Sequence, residues 1–123
     1  MRAVKDRNTT PELAVRSMVH RMGYRFRLHR KDLPGKPDLV LPRLKRVIFV
    51  HGCFWHGHNC ARGARTPKTN VAYWQRKIER NRERDRQHIV ALKVTGWNVV
   101  VVWECELRNV SRIERRLAKT LLS

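Results

Sequence analysis

The stretch that most constrains the fold is Val47 to Cys60, VIFVHGCFWHGHNC. It opens on four consecutive apolar residues, the pattern of a strand buried on both faces, and turns at Gly52 into Cys53, His56, His58 and Cys60, with Phe54 and Trp55 between them. Thiolate and imidazole together are the donors that tetrahedral zinc prefers. Cys53, His58 and Cys60 are close enough to share one ion, and a fourth donor is still needed. The only other cysteine, Cys105, follows the strand-like run WNVVVVW at 97–103. If those two strands lie side by side and parallel, Cys53 and Cys105 leave the same end of a sheet, and one structural zinc pins the loop to the fold. The plainer alternative is a set of small core residues and solvated histidines. Three such donors between positions 53 and 60 argue against it.

With 123 residues and 41% hydrophobic content, the chain suits one domain over 1–123 with a core of its own. Lys and Arg number 28 against 10 Asp and Glu, a formal charge of +18. Self-repulsion on that scale points to a polyanionic partner, nucleic acid before a membrane surface. No apolar run approaches the roughly 20 residues of a spanning helix, and no signal-peptide core follows Met1. A soluble, intracellular protein is expected. An odd set of three cysteines clustered with histidines suits a reducing compartment and a metal better than disulfides.

Along the chain, residues 1–9 read as a basic arm. A helix starts at Thr10-Pro11-Glu12, with Thr10 as cap, proline at the first helical position and a carboxylate facing the dipole, and it runs to about Met22 before Gly23. Tyr24 to Leu28 alternates apolar and basic residues as a half-exposed strand does. Leu33 to Asp38, LPGKPD, is a turn-rich approach to a strand over 38–41 that Pro42 closes. A third strand opens at Lys45 or Arg46, residues 61–70 form a basic loop, and a long helix spans Val71 to about Thr95, capped by Asn70 and stopped at Gly96. Its inward stripe reads Trp74, Ile78, Asn81, Asp85, Ile89 and Leu92, which assigns two polar residues to the core side. An inward Asp85 needs a partner: an arginine, or a catalytic group that it holds. Ser111 caps a last helix whose apolar face is Ile113, Leu117 and Leu121.

This order predicts an α/β fold of three layers, a mixed central sheet flanked by helices, with the strands before and after the long helix parallel through a right-handed crossover. Pro37-Asp38, followed twelve residues later by a strand ending Phe49-Val50-His51, resembles the restriction-endonuclease-like PD-(D/E)xK core. There two strands splay apart beside the scissile phosphate, and Asp38 offers the hard oxygen that Mg2+ demands. Val50 stands where that pattern expects a carboxylate, which leaves its backbone carbonyl as the ligand.

The resemblance becomes specific when the motifs are taken together. MRA at the start, Thr10-Pro11-Glu12, LPGKPD ending at Asp38, the 47–60 run, NRERD ending at Asp85, and Gly96-Trp97 through Val102-Trp103-Glu104-Cys105 are similar to the very short patch repair (Vsr) DNA mismatch endonucleases over nearly the whole chain. The resemblance implies a Mg2+-dependent nick 5′ of the thymine in a T:G mismatch, initiating very short patch repair. It makes Asp38 the ligand shared by two magnesium ions, His56 the general acid/base and His51 a further active-site imidazole. Glu12 and Asp85 support the metal-bound waters and the histidine, and Cys53, His58, Cys60 and Cys105 bind one zinc. Phe54, Trp55 and Trp74 become wedges between base pairs, at a wobble pair that unstacks at lower cost than a Watson–Crick pair. For Trp74 the helical stripe equally supports a core position. The implied setting is the bacterial cytoplasm at the nucleoid, with double-stranded DNA as substrate, mismatch-repair proteins as candidate partners and no membrane.

Two features depart from the family pattern. Val50 replaces a hydroxyl residue, and the family's leading segment is longer, so Met1, a candidate DNA contact, falls where that arm is already under way. The competing readings are a restriction-like or structure-specific endonuclease on the same core, and a zinc-stabilised DNA-binding module without catalysis, for which Val50 is the best argument.

Overall fold

A computed structural model describes residues 9–28, 30–53 and 69–122. Three helices, α1 (Thr10–Arg21), α2 (Val71–Val94) and α3 (Val110–Leu122), surround four strands, β1 (Arg27–Leu28), β2 (Leu39–Leu41), β3 (Arg46–His51) and β4 (Asn98–Trp103). The strands lie in the order β1-β2-β3-β4. The first two pairings are antiparallel, and β3 runs parallel to β4 from Arg46↔Asn98 to His51↔Trp103. The mixed sheet and its parallel crossover through α2 are those the sequence predicts.

Alternation along the strands sorts side chains onto two faces. On one, Val15, Met18 and Val19 of α1 and Ile113, Leu117 and Leu121 of α3 pack with Leu39, Leu41, Ile48, Val100 and Val102. On the other, Leu92 of α2 closes over Val40, Val47, Phe49 and Trp97. Each sheet face is covered by helices, which is the three-layer arrangement. Among the described residues no helix is long and apolar enough to cross a membrane.

The helix ends correct the sequence reading by a residue or two. Thr9, not Thr10, caps α1, its hydroxyl accepting the Glu12 N–H at 3.4 Å. Asn109, not Ser111, caps α3, its side-chain oxygen accepting the Arg112 N–H at 3.2 Å, so Ser111 lies inside the first turn. Asn70 precedes α2 but makes no side-chain cap hydrogen bond, because it adopts a left-handed conformation at φ 54°. The strand expected from Tyr24 shortens to Arg27–Leu28, because only those two residues find partners on β2. Gly96 ends α2 as expected, with φ 94°.

Candidate active site

The β2–β3 ladder ends at Leu39↔Ile48, and beyond it the two strand tips part. Asp38 sits in that opening. Its Oδ2 accepts the Val50 backbone N–H at 2.6 Å, so the carboxylate takes a donor that a continuing strand would have used. From the first turn of α1, Glu12 reaches the same place: it is 2% exposed, and its carboxyl lies within hydrogen-bonding reach of Asp38. One turn on, the Arg16 guanidinium donates to Glu12 Oε2 at 3.0 Å. Burial raises the Asp38 pKa to about 7, the Val50 N–H opposes that rise, Glu12 adds to it and Arg16 opposes it.

Asp38, Val50, His51, Asp85 and His88 line a cleft of about 310 Å3 between the strand tips and α2. His51 is 6% exposed, its ring 5.4 Å from that of Phe49 and edge-on to Trp103 at 5.1 Å. Aromatic packing on two sides fixes the imidazole's orientation. Asp85 is half-buried and lies on the stripe that the periodicity of α2 assigns to the inner side. The cleft therefore joins an acid, an imidazole and a second carboxylate from three separate elements.

At the same end of the sheet, buried Cys53 follows β3 and half-buried Cys105 follows β4. The Cys105 N–H donates to Cys53 Sγ at 3.4 Å, so the parallel pairing brings the two sulfur-bearing residues together at one end of the sheet. Among the described residues, no group of three or more His, Cys, Asp or Glu is arranged to hold a metal ion. Phe54, Trp55, His56, His58, Cys60 and Met1 lie outside the described residues, as do most of the 1–9 arm and of the 61–70 loop. Trp74 is half-buried on α2, edge-on to Tyr73 at 5.3 Å with Lys77 Nζ 5.5 Å from its ring centre, and it does not line the cleft.

Three residues of the site were not singled out from sequence. Arg16 could have been found, since it stands four residues after Glu12 on one helix face. His88 had a weaker signal, three residues after Asp85. Lys36 had none beyond its place two residues before Asp38, because a left-handed lysine is invisible until the turn is seen.

Comparison with known proteins agrees with this geometry. Residues 1–62 match the family model described as DNA mismatch endonuclease Vsr. A type II nicking enzyme, V.XorIIP, from Xanthomonas oryzae pv. oryzae is 55% identical over 121 residues, covering 98% of this chain and 88% of that one. The DNA mismatch endonuclease Vsr of Escherichia coli K12 is 42% identical over 113 residues, covering 92% of this chain and 72% of that one. Among solved structures, the catalytic domain of the homing endonuclease I-Bth0305I superposes with a TM-score of 0.63 at 20% identity, over 94% of this chain and all (100%) of that one, a likeness of fold. A mixed sheet with an aspartate at its parted strand tips, carried on a sequence this close to its relatives, is the scaffold of a DNA endonuclease, and the chain belongs to the Vsr family of DNA mismatch endonucleases.

Proposed function

We propose that the protein, as one domain over 1–123, nicks a single strand of duplex DNA 5′ of the thymine in a T:G mismatch by Mg2+-dependent hydrolysis, and so initiates very short patch repair. The observation that carries the reading is Asp38 at the parted strand tips, with Glu12 behind it and His51 and Asp85 across the cleft. Two carboxyls pressed together under burial repel once both are ionised, and a hard dication is their natural complement. Asp38 and the Val50 carbonyl would hold magnesium, with Glu12 and Asp85 orienting its waters. Magnesium bound there supplies Lewis acidity at the attacking water and the leaving oxygen. Arg16, donating to Glu12 Oε2 at 3.0 Å, holds that carboxyl at the buried foot of α1 within reach of Asp38. His56 takes and returns the proton, and His51, held between two rings, steadies the phosphate side of the cleft.

Cys53, His58, Cys60 and Cys105 would hold a structural zinc, a reading supported by the contact between the Cys105 amide and the Cys53 sulfur. Such a staple sets the loop that carries Phe54 and Trp55, which with Trp74 wedge into the mismatched step, while Met1 and the basic arm contact the duplex. The purified protein should hold one equivalent of zinc and lose it on Cys105→Ala. Full zinc content in that variant would remove Cys105 from the set.

Nicking of a panel of mismatched and matched duplexes in Mg2+ tests the function. The T:G duplex should be cut on the thymine strand, and Asp38→Ala should abolish cutting while leaving binding. Equal cutting of matched duplex would replace mismatch recognition with restriction-like nicking. Binding without cutting under any divalent metal would leave a DNA-binding module.

A further inference from the structure

The turn that delivers Asp38 contains two consecutive residues in the left-handed region, Gly35 at φ 77° and Lys36 at φ 48°, and is closed by the Lys36 N–H donating to the Leu33 carbonyl at 3.1 Å. Glycine adopts that conformation freely. Lysine does not, and the following Pro37 further biases position 36 toward extended backbone at negative φ. Strain of this kind survives where the surroundings overdetermine it, and it gathers at functional sites.

The surroundings here are helix α2. A Cβ added to Gly35 would lie 3.0 Å from both the Cβ and the Nδ1 of His88, so the turn's backbone is seated on that imidazole with no room for a side chain. Seated in this way, the turn brings Lys36 to the cleft lining. Among the described lining residues, Lys36 carries the only permanent positive charge of a cleft that Asp38 and Asp85 also line. A phosphodiester entering between two carboxylates needs such a cation.

We propose that Lys36 is a substrate-binding residue whose ammonium pairs with a non-bridging phosphate oxygen of the strand in the cleft, and that the Gly35–His88 contact is the strut that sets it there. The assignment rests on the protein acting on DNA and not on which mismatch it prefers.

Two substitutions separate charge from backbone strain. Asparagine tolerates the left-handed region, so Lys36→Asn deletes the ammonium and keeps the turn, whereas Lys36→Arg keeps the charge. Binding of the full chain to duplex, without divalent metal, would be followed against KCl. Loss of one phosphate contact in Lys36→Asn should flatten the log–log salt slope by about 0.9. Its KM for nicking should rise with kcat little changed, and Lys36→Arg should restore both. Parental slope and KM in Lys36→Asn would overturn the proposal, and so would equal impairment of the asparagine and arginine variants. A parent enzyme that cuts matched and T:G duplexes alike would defeat the mismatch reading, while the slope comparison would still decide the role of Lys36.

Discussion

Asp38 is held by contacts that favour opposite protonation states. The Val50 N–H and Arg16 favour its anion, whereas burial and the Glu12 carboxyl oppose it and prevail, so its pKa rises to about 7 from the usual 3.8. In the metal-free protein a carboxyl whose folded pKa is raised takes up protons on folding between those two values. Its contribution to stability is fully present below the unfolded pKa and is lost as pH rises through the folded one. Metal-free protein should therefore lose stability between about pH 4 and 7, and Asp38→Asn should reduce that loss. A gain of 1–2 kcal/mol in the variant at pH 8 would raise Tm by roughly 4–8 °C in a domain of this size, while nicking is abolished. Thermal melts in EDTA at pH 5 and pH 8 check it, and an Asn variant that melts like the parent at both would remove the cost assigned to this carboxyl. Of this site, Asp38 was legible in its Pro-Asp turn, and Glu12 only through the family resemblance, since alone it reads as an ordinary first-turn carboxylate. The parts written in backbone angles, the left-handed Lys36 above all, were not.

The secondary structure elements were legible where one face of a helix or strand is apolar, and less so at their ends. Trp74, Ile78, Asn81, Asp85, Ile89 and Leu92 of α2 are all half-buried or buried, so the period of the helix located even its polar members. The apolar face of α3 is likewise the expected Ile113, Leu117 and Leu121. The caps slipped because Thr9 and Thr10, or Asn109 and Ser111, offer equivalent oxygens in sequence, and only the backbone's turn into the helix decides between them. That decision has an energetic consequence. Asn109→Ala should destabilise by about 1 kcal/mol through the lost Arg112 N–H contact, and Ser111→Ala, at an exposed first-turn position, by much less. Urea unfolding of the two variants checks the order, and equal losses would mean that Asn109 does not cap. The parallel pairing of β3 with β4 came from a rule about crossovers, and it places Cys53 against the Cys105 amide. The Glu106–Arg116 pair on the outer edge of β4, the last of the described strands, had no sequence signal. Glu106 accepts the Trp103 N–H at 2.8 Å and Arg116 donates to the Val101 carbonyl at 2.9 Å, so side chains occupy edge groups that another strand could otherwise pair with.

For the molecule as a whole, charge is the property that sequence states most completely and the fold alters least. A formal +18 over 123 residues repels itself in the free protein and is neutralised on DNA. Among the described residues few carboxylates relieve it, and several of the ion pairs formed, Arg21–Glu114 and Arg86–Glu83 among them, are exposed and so contribute little. Salt should then act with opposite signs on the two states. The Debye length falls to about 8 Å near physiological ionic strength, so added KCl screens the self-repulsion and should raise the Tm of the free protein. The same salt competes with phosphate contacts, and the logarithm of the DNA association constant should fall by about 0.9 per contact for each unit of log salt. Stabilisation of the fold by bound duplex, which follows the ratio of free DNA to Kd, should consequently shrink as the free protein's own stability grows. Tm measured with and without duplex across a KCl series should give two curves that converge from opposite directions. Parallel curves would mean that the surplus charge is spent on neither self-repulsion nor phosphate.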